Sequence, residues 1–283
     1  MKTPSYVQST ADNALTVDVE DWFHVCGLDQ EPQIPAGEWR VRHNTERLLA
    51  FFAEHRVEAT FFVLGCVAEA IPGLVPAIAA AGHEVASHGY SHRLVSRLDP
   101  GEFREELRRT GDILERQAGQ RPVGFRAPQW SLSAGMQWAF DILHDEGYAY
   151  DSSCTPLPLV GDQAAPRTPH RISVPGGTLW EIPPLVTPLP LCNLPTGGGW
   201  GLRFFPQRVI QKTVRALNGE GFPAVLFLHP RELDPSGPRL KLAPLKAFAT
   251  YGPRTDVTKR LTPLLKQFRF RTLRAMVRQW ESA

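Results

Sequence analysis

Residues 15–24 read Leu15-Thr-Val-Asp-Val-Glu-Asp-Trp-Phe-His24. Leu15 to Val19 is apolar and β-branched, the composition of a short buried strand. Asp18, Glu20 and Asp21 fall at or just past its end. Three carboxylates so close together repel one another and resist burial. A chain tolerates them in a solvated loop, or where a metal, an arginine or a protonated histidine offsets the charge. The rest of the sequence decides between the two.

Outward from this strand the same alternation recurs. Residues 44–55 have helical apolar spacing (Leu48, Leu49, Phe51, Phe52) and lead to a β-branched, aromatic run at 59–64. An Ala-rich helix over 67–81, with Pro72 and Pro76 at breaks or first turns, precedes a strand at 83–87. A long amphipathic helix over 99–118 precedes Val123-Gly-Phe-Arg126, and a helix over 133–146 precedes Tyr148-Ala-Tyr-Asp151. The stretch 154–201 is rich in Pro and Gly and reads as long loops with brief strands such as Leu179 to Ile182. A helix over 206–220 feeds Pro223-Ala-Val-Leu-Phe-Leu-His229. The last segments read as a helix over 256–267 capped by Asp256, a strand at 268–271, and a helix to Trp280 capped by Thr272.

Strands alternating with helices imply a parallel sheet with helical crossovers. With no G-x-G-x-x-G after the first strand and no Walker A motif, a nucleotide-binding sheet gives way to a barrel. The expected fold is α/β, a distorted (β/α) barrel in a single domain. Residues 1–13 form an N-terminal extension, and residues 14–283 form the domain. In such a barrel functional residues collect at the C-terminal ends of the strands.

The bulk properties agree. The chain has 283 residues, 42% of them apolar, enough for one large core. Net charge is +2, yet residues 239–283 hold 11 Lys/Arg against 2 Asp/Glu. That basic segment reads mainly as a solvated or structural face, with peripheral contact to an anionic membrane as the alternative. Nothing points to nucleic acid. Cys26, Cys66, Cys154 and Cys192 are scattered and read as free thiols. Residues 1–13 lack the apolar core of a signal peptide, and no apolar run approaches membrane-spanning length. The expected location is cytoplasmic, at the inner face of the membrane where a glycan is being built.

The strand ends carry chemistry. His88 and His92, four apart, can turn both imidazoles to one side, as a metal pair requires. With one carboxylate from the first strand they make a two-histidine, one-carboxylate set with open positions for water and substrate. Arg126 follows a buried run and needs a carboxylate partner, for which Asp18 is the candidate. His229 ends the strand at 224–228 and suits a general acid.

Together these stretches resemble the polysaccharide deacetylases of the NodB-homology type, carbohydrate esterase family 4. Thr16-Val-Asp18-Val-Glu20-Asp21, Ser87-His88-Gly-Tyr-Ser-His92, Arg126-Ala-Pro128, Tyr150-Asp151-Ser-Ser and Leu226-Phe-Leu-His229-Pro230 match that family's five motifs in order, over residues 14–230. The resemblance implies metal-dependent removal of acetyl groups from glycans. Asp18 would be the base, Arg126 its orienting partner and His229 the acid. His88 and His92 would bind the metal with Asp21, whose side-chain type the family favours, or with Glu20. Zinc fits most simply, with cobalt, nickel and iron as alternatives. Asp151, Ser152, Pro128, Trp130 and Trp200 would contact the acetylated glycan. Asp18-Val-Glu-Asp-Trp-Phe-His24, Gly197-Gly-Gly-Trp200 and His229-Pro-Arg-Glu-Leu-Asp-Pro235 further resemble deacetylases of exopolysaccharide loci of the exosortase type, which implies a biosynthetic complex as partner. Two other readings compete. One is a NodB-like amidohydrolase on a small molecule, working without metal; the other is a non-catalytic glycan-binding scaffold.

Overall fold

The structure is a computed structural model and describes residues 12–25, 34–158, 160–253 and 255–282. Cys26 and nearly all of the expected N-terminal extension lie outside the described residues. The first strand, β1 (Asp12–Val19), is buried along almost its whole length. It pairs in parallel with β2 (Thr60–Val63) on one side, and with β10 (Val225–Leu228) and β11 (Arg269–Arg271) as its other partners. From β2 the sheet continues in parallel through β3 (Glu84–Ser87), β4 (Gly124–Phe125), β5 (Tyr150–Asp151) and β7 (Gly177–Glu181). It ends on β6 (His170–Val174), antiparallel to β7. β7 is the brief strand expected around 179–182, while its partner β6 and the small β8 (Thr187–Pro188)–β9 (Asn193–Leu194) ribbon are not distinguished by the Pro/Gly-rich composition of 154–201.

The sheet curls into a half-barrel, as the distorted (β/α) barrel expectation requires. Its open edge at β10 is covered by coil: Leu185 N donates to Val225 O and Phe227 N donates to Gly197 O. Outside the sheet lie α1 (Val41–His55), α2 (Gly65–Ala70), α3 (Leu74–Ala80), α4 (Pro100–Ala118) and α5 (Gln137–Asp145). The expected helix over 67–81 is split at Ile71-Pro72-Gly73, because proline lacks the N–H a continuous helix needs. Helix α4 starts on a capping box, Asp99 accepting from Glu102 N and Glu102 accepting from Asp99 N. The chain goes on through α6 (Gly199–Phe204), α7 (Gln207–Gly219), α8 (Pro244–Tyr251), α9 (Val257–Leu265) and α10 (Leu273–Glu281). Asp256 and Thr272 cap the last two as expected.

The two ends of the barrel differ. The N-terminal end of the strands is plugged by α10. Leu273 N donates to Thr60 Oγ1 and Arg274 N to Glu84 Oε2, while Tyr150 Oη donates to Glu84 Oε1 at 2.8 Å. Leu273, Met276 and Val277 are buried against this end, so this part of the basic segment is structural. The opposite end stays open, and there the polar strand ends meet. No helix among the described residues is long and apolar enough to cross a membrane.

Candidate active site

Asp18 lies in β1 and faces the sheet interior, where burial would strand a lone carboxylate. Arg126, wholly buried just beyond β4, provides the partner: its Nη1 lies 2.7 Å from Asp18 Oδ1 and 2.7 Å from Thr16 Oγ1. Nε donates to Ser152 O at 3.0 Å and Nη2 to Ser152 Oγ at 2.8 Å, so all three guanidinium nitrogens are engaged and the fork is held in place. Phe62 closes one face of the guanidinium, 4.2 Å from its ring centre. The expected Asp18–Arg126 pair is thus present.

Glu20 Oε1 lies 3.1 Å from His88 Nε2 and 3.1 Å from His92 Nε2. All three residues are buried, and the three ligand atoms lie within 4.8 Å of one another. His88 Nδ1 is 2.7 Å from Arg126 O, a carbonyl that can only accept, so the proton sits on Nδ1. Nε2 is left facing a carboxylate oxygen. Two acceptors do not face each other at that distance unless a cation or a proton lies between them. The donor set therefore fits a divalent ion.

The favoured acid ligand, Asp21, is corrected. Its Oδ1 accepts from Trp22 N, and its Oδ2 accepts from Arg40 N and Val41 N at the start of α1. Side chains alternate along extended chain, so Asp18 and Glu20 share a face and Asp21 points away. Burial raises the Asp21 carboxyl above its usual range, against those backbone donors. Burial pulls Glu20 the same way, but the charges of His92 and His229 and the bonds to His88 and His92 outweigh it and hold the carboxyl well below its usual range. Arg231 Nη1, 3.3 Å from Glu20 Oε2, occupies the second oxygen. His24 accepts from Asp21 N through Nδ1 and packs its ring near His92, where burial keeps it neutral.

His229 follows β10. Its Nε2 lies 3.9 Å from Asp18 Oδ2 and 3.8 Å from Glu20 Oε2. Its Nδ1 donates to Glu232 Oε1 at 2.8 Å, and Glu232 Oε2 lies 3.1 Å from Arg203 Nε on α6. Burial opposes ionisation of Glu232, yet the bond to His229 and the Arg203 charge outweigh it and lower its pKa. Glu232, Arg203 and Arg231 were not anticipated as functional residues. Glu232 was signalled, since it stands three residues after His229 on the turn Pro230–Leu233.

Of the expected glycan contacts, two groups separate. Trp130 and Trp200 line an open cleft of about 590 Å³ together with Phe227, Leu157, Val160 and His229. Asp151, Ser152 and Pro128 are buried and none of them lines the cleft, which corrects that expectation. Asp151 faces Glu181, its register partner on β7, and accepts from Ser153 Oγ; Ser152 is spent on Arg126. Burial and the neighbouring Asp151 charge push the Glu181 carboxyl well above the usual range. Left-handed backbone at non-glycine residues gathers at the open end: His92 at φ 57°, Gln129 at φ 56° and Trp130 at φ 57°. Such conformations persist where surrounding packing over-determines them, and they concentrate at functional sites.

A curled parallel sheet with an arginine-held carboxylate, a buried acid–histidine cluster and a histidine poised above both describes a NodB-type barrel. Residues 29–144 match the family model "Polysaccharide deacetylase", and residues 152–278 match "Domain of unknown function (DUF3473)". The first of these matches, together with the curated relatives and the structural neighbours, supports a protein of the polysaccharide deacetylase type. It is 31% identical over 147 residues to a peptidoglycan-N-acetylglucosamine deacetylase of Bacillus cereus, covering 48% of this chain and 53% of that protein. To a peptidoglycan deacetylase of Helicobacter pylori it is 29% identical, covering 50% and 48%. The chain thus spans about half the length of the curated relatives it matches. Among solved structures, a putative polysaccharide deacetylase from Mycobacterium smegmatis superposes with TM-score 0.69 at 22% identity, covering 100% of this chain and 93% of that one. A Puue allantoinase gives TM-score 0.68 at 16% identity, covering 99% and 95%; at such identities the likeness shows the fold.

Proposed function

We propose that this protein is a metal-dependent hydrolase that removes acetyl groups, N-acetyl foremost, from a bacterial exopolysaccharide or its lipid-linked precursor, on the cytoplasmic side of the membrane. One observation carries the reading. A base candidate, an acid candidate and a two-histidine, one-carboxylate set converge at the open end of one barrel, with His229 within 4 Å of both Asp18 and Glu20. Relatives named as deacetylases of peptidoglycan and chitooligosaccharide support acetylated glycan as the substrate class. The resemblance of Gly197-Gly-Gly-Trp200 and His229-Pro-Arg-Glu-Leu-Asp-Pro235 to exopolysaccharide-locus enzymes supports the finer choice.

A divalent ion bound by Glu20, His88 and His92, with zinc the simplest match to two imidazoles and one carboxylate, would act as a Lewis acid on the acetyl carbonyl and the attacking water. Asp18 takes the proton of that water. Arg126 pairs its charge with Asp18 and fixes the direction of the free carboxylate oxygen. His229 delivers a proton to the departing amine as the C–N bond breaks, giving acetate and a free amino sugar. Glu232 holds His229 Nδ1–H, so Nε2 carries the transferred proton. Trp130 and Trp200 flank the cleft that receives the sugar ring.

The test is Asp18→Asn, which removes the base and keeps the shape. Acetate release from acetylated oligosaccharides should fall about 10³-fold with the bound metal retained. Near-normal release would refute the assignment of Asp18. Hydrolysis of a small cyclic amide by metal-free protein would favour the amidohydrolase reading, and bound metal with no hydrolysis would favour a scaffold.

A further inference from the structure

Three aromatic side chains meet on the outside of α6 and α8, at the mouth of the cleft. Trp200 and Phe204 stack at 4.8 Å and 12°, and Phe248 packs on both, 5.8 Å from Trp200 and 5.9 Å from Phe204. Phe204 is 48% and Phe248 46% exposed. Exposed phenylalanines beside one another are costly in water and mark a surface that something covers. The flanking chain is basic throughout. Residues 199–219 contain four Lys/Arg and no Asp/Glu, and residues 239–253 contain three and none. Arg208, Lys212 and Lys241 are exposed. Arg203 is turned inward, bonding Glu232 and the carbonyls Tyr251 O and Pro253 O, so it braces α8 on α6 and makes the patch a fixed surface.

We infer that this aromatic–basic face docks on an anionic membrane surface. Phenylalanine rings can enter the acyl boundary while lysines and arginines stay among anionic headgroups. A sugar platform fits less well. Stacking needs an open ring face, and Phe204 covers one face of Trp200. Because Trp200, Lys246, Ala249 and Thr250 also line the cleft, docking here turns its mouth toward the bilayer. The inference goes beyond the proposed chemistry and does not require it.

The experiment is co-sedimentation of the full chain with vesicles of phosphatidylglycerol and phosphatidylcholine in equal parts, and with phosphatidylcholine alone. The anionic vesicles should retain the protein, the neutral ones should not, and salt should release it. F204S/F248S should lower the partition about tenfold with the melting temperature unchanged, since the two rings are half outside the core. R208E/K241E, which leaves the rings in place, should lower it comparably at low salt. No retention on anionic vesicles overturns the inference, as does undiminished retention of both variants. It is also overturned if F204S/F248S instead abolishes a concentration-dependent dimer, which would make a second copy the occupant. A raised KM for soluble oligosaccharide with vesicle binding intact would assign the patch to the sugar.

Discussion

Glu20 and Glu84 are both buried, at opposite ends of one parallel sheet, and they are driven in opposite directions. Glu84 receives neutral donors, Thr60 Oγ1, Tyr150 Oη and Arg274 N, and burial still raises its pKa. Glu20 meets His88, His92, His229 and Arg231, and stays ionised against the same burial. Burial alone does not make a carboxylate chemically useful. Neutral partners make it a fastener for α10. Cationic or metal-like surroundings keep its negative charge available.

Three substitutions would sharpen or break this contrast. Glu20→Gln should have the largest effect. It removes the one anionic ligand beside two imidazoles, so bound metal should be lost and acetate release should fall at least about 10³-fold, while the fold survives. Metal analysis beside circular dichroism checks this; full metal occupancy would return the ligand role to another acid. Glu232→Gln lies between the extremes, because it weakens the hold on His229 Nδ1 without removing the imidazole. We expect kcat about 10- to 100-fold lower with KM nearly unchanged. A change confined to KM would show that Glu232 shapes the cleft instead.

Glu84→Gln should have the smallest effect, seen in stability rather than turnover. The raised folded-state pKa means that Glu84 favours the fold fully below its unfolded value, near the ordinary glutamate value of 4.5, and that this contribution is lost as pH rises through the folded value. The wild type should therefore lose stability relative to the variant as pH rises above the ordinary glutamate range, by an amount read from denaturant midpoints at each pH. Parallel pH profiles for the two proteins would contradict a neutral Glu84.

Much of this site could be read from sequence because its residues stand at strand ends. The apolar runs before Glu20, His88, Arg126 and His229 fix where each strand stops, and a parallel barrel brings those stops together. The Arg126–Asp18 pair followed from the cost of burying a guanidinium. Choosing Asp21 over Glu20 failed because side-chain type was weighed above the two-residue alternation of extended chain. Asp151 also ends a strand but points between β5 and β7, which no local pattern reveals. Arg203 was hidden for another reason: α6 is six residues long and glycine-rich, so it carries no helical periodicity.

The position of β1 in the chain bears on how the site is assembled over time. Thr16 Oγ1 bonds Leu226 O across 210 residues, and Asp12 to Ala14 pair with residues 269–271. Contacts of such separation form slowly, after the local ones between β2, β3 and α4. Asp18 and Glu20 precede β10 and β11 in the chain by about 200 residues or more, so the strand that carries them is expected to be enclosed late. Loss of β10 or β11 pairing should thus appear as slow maturation of a stable protein before it appears as lower stability.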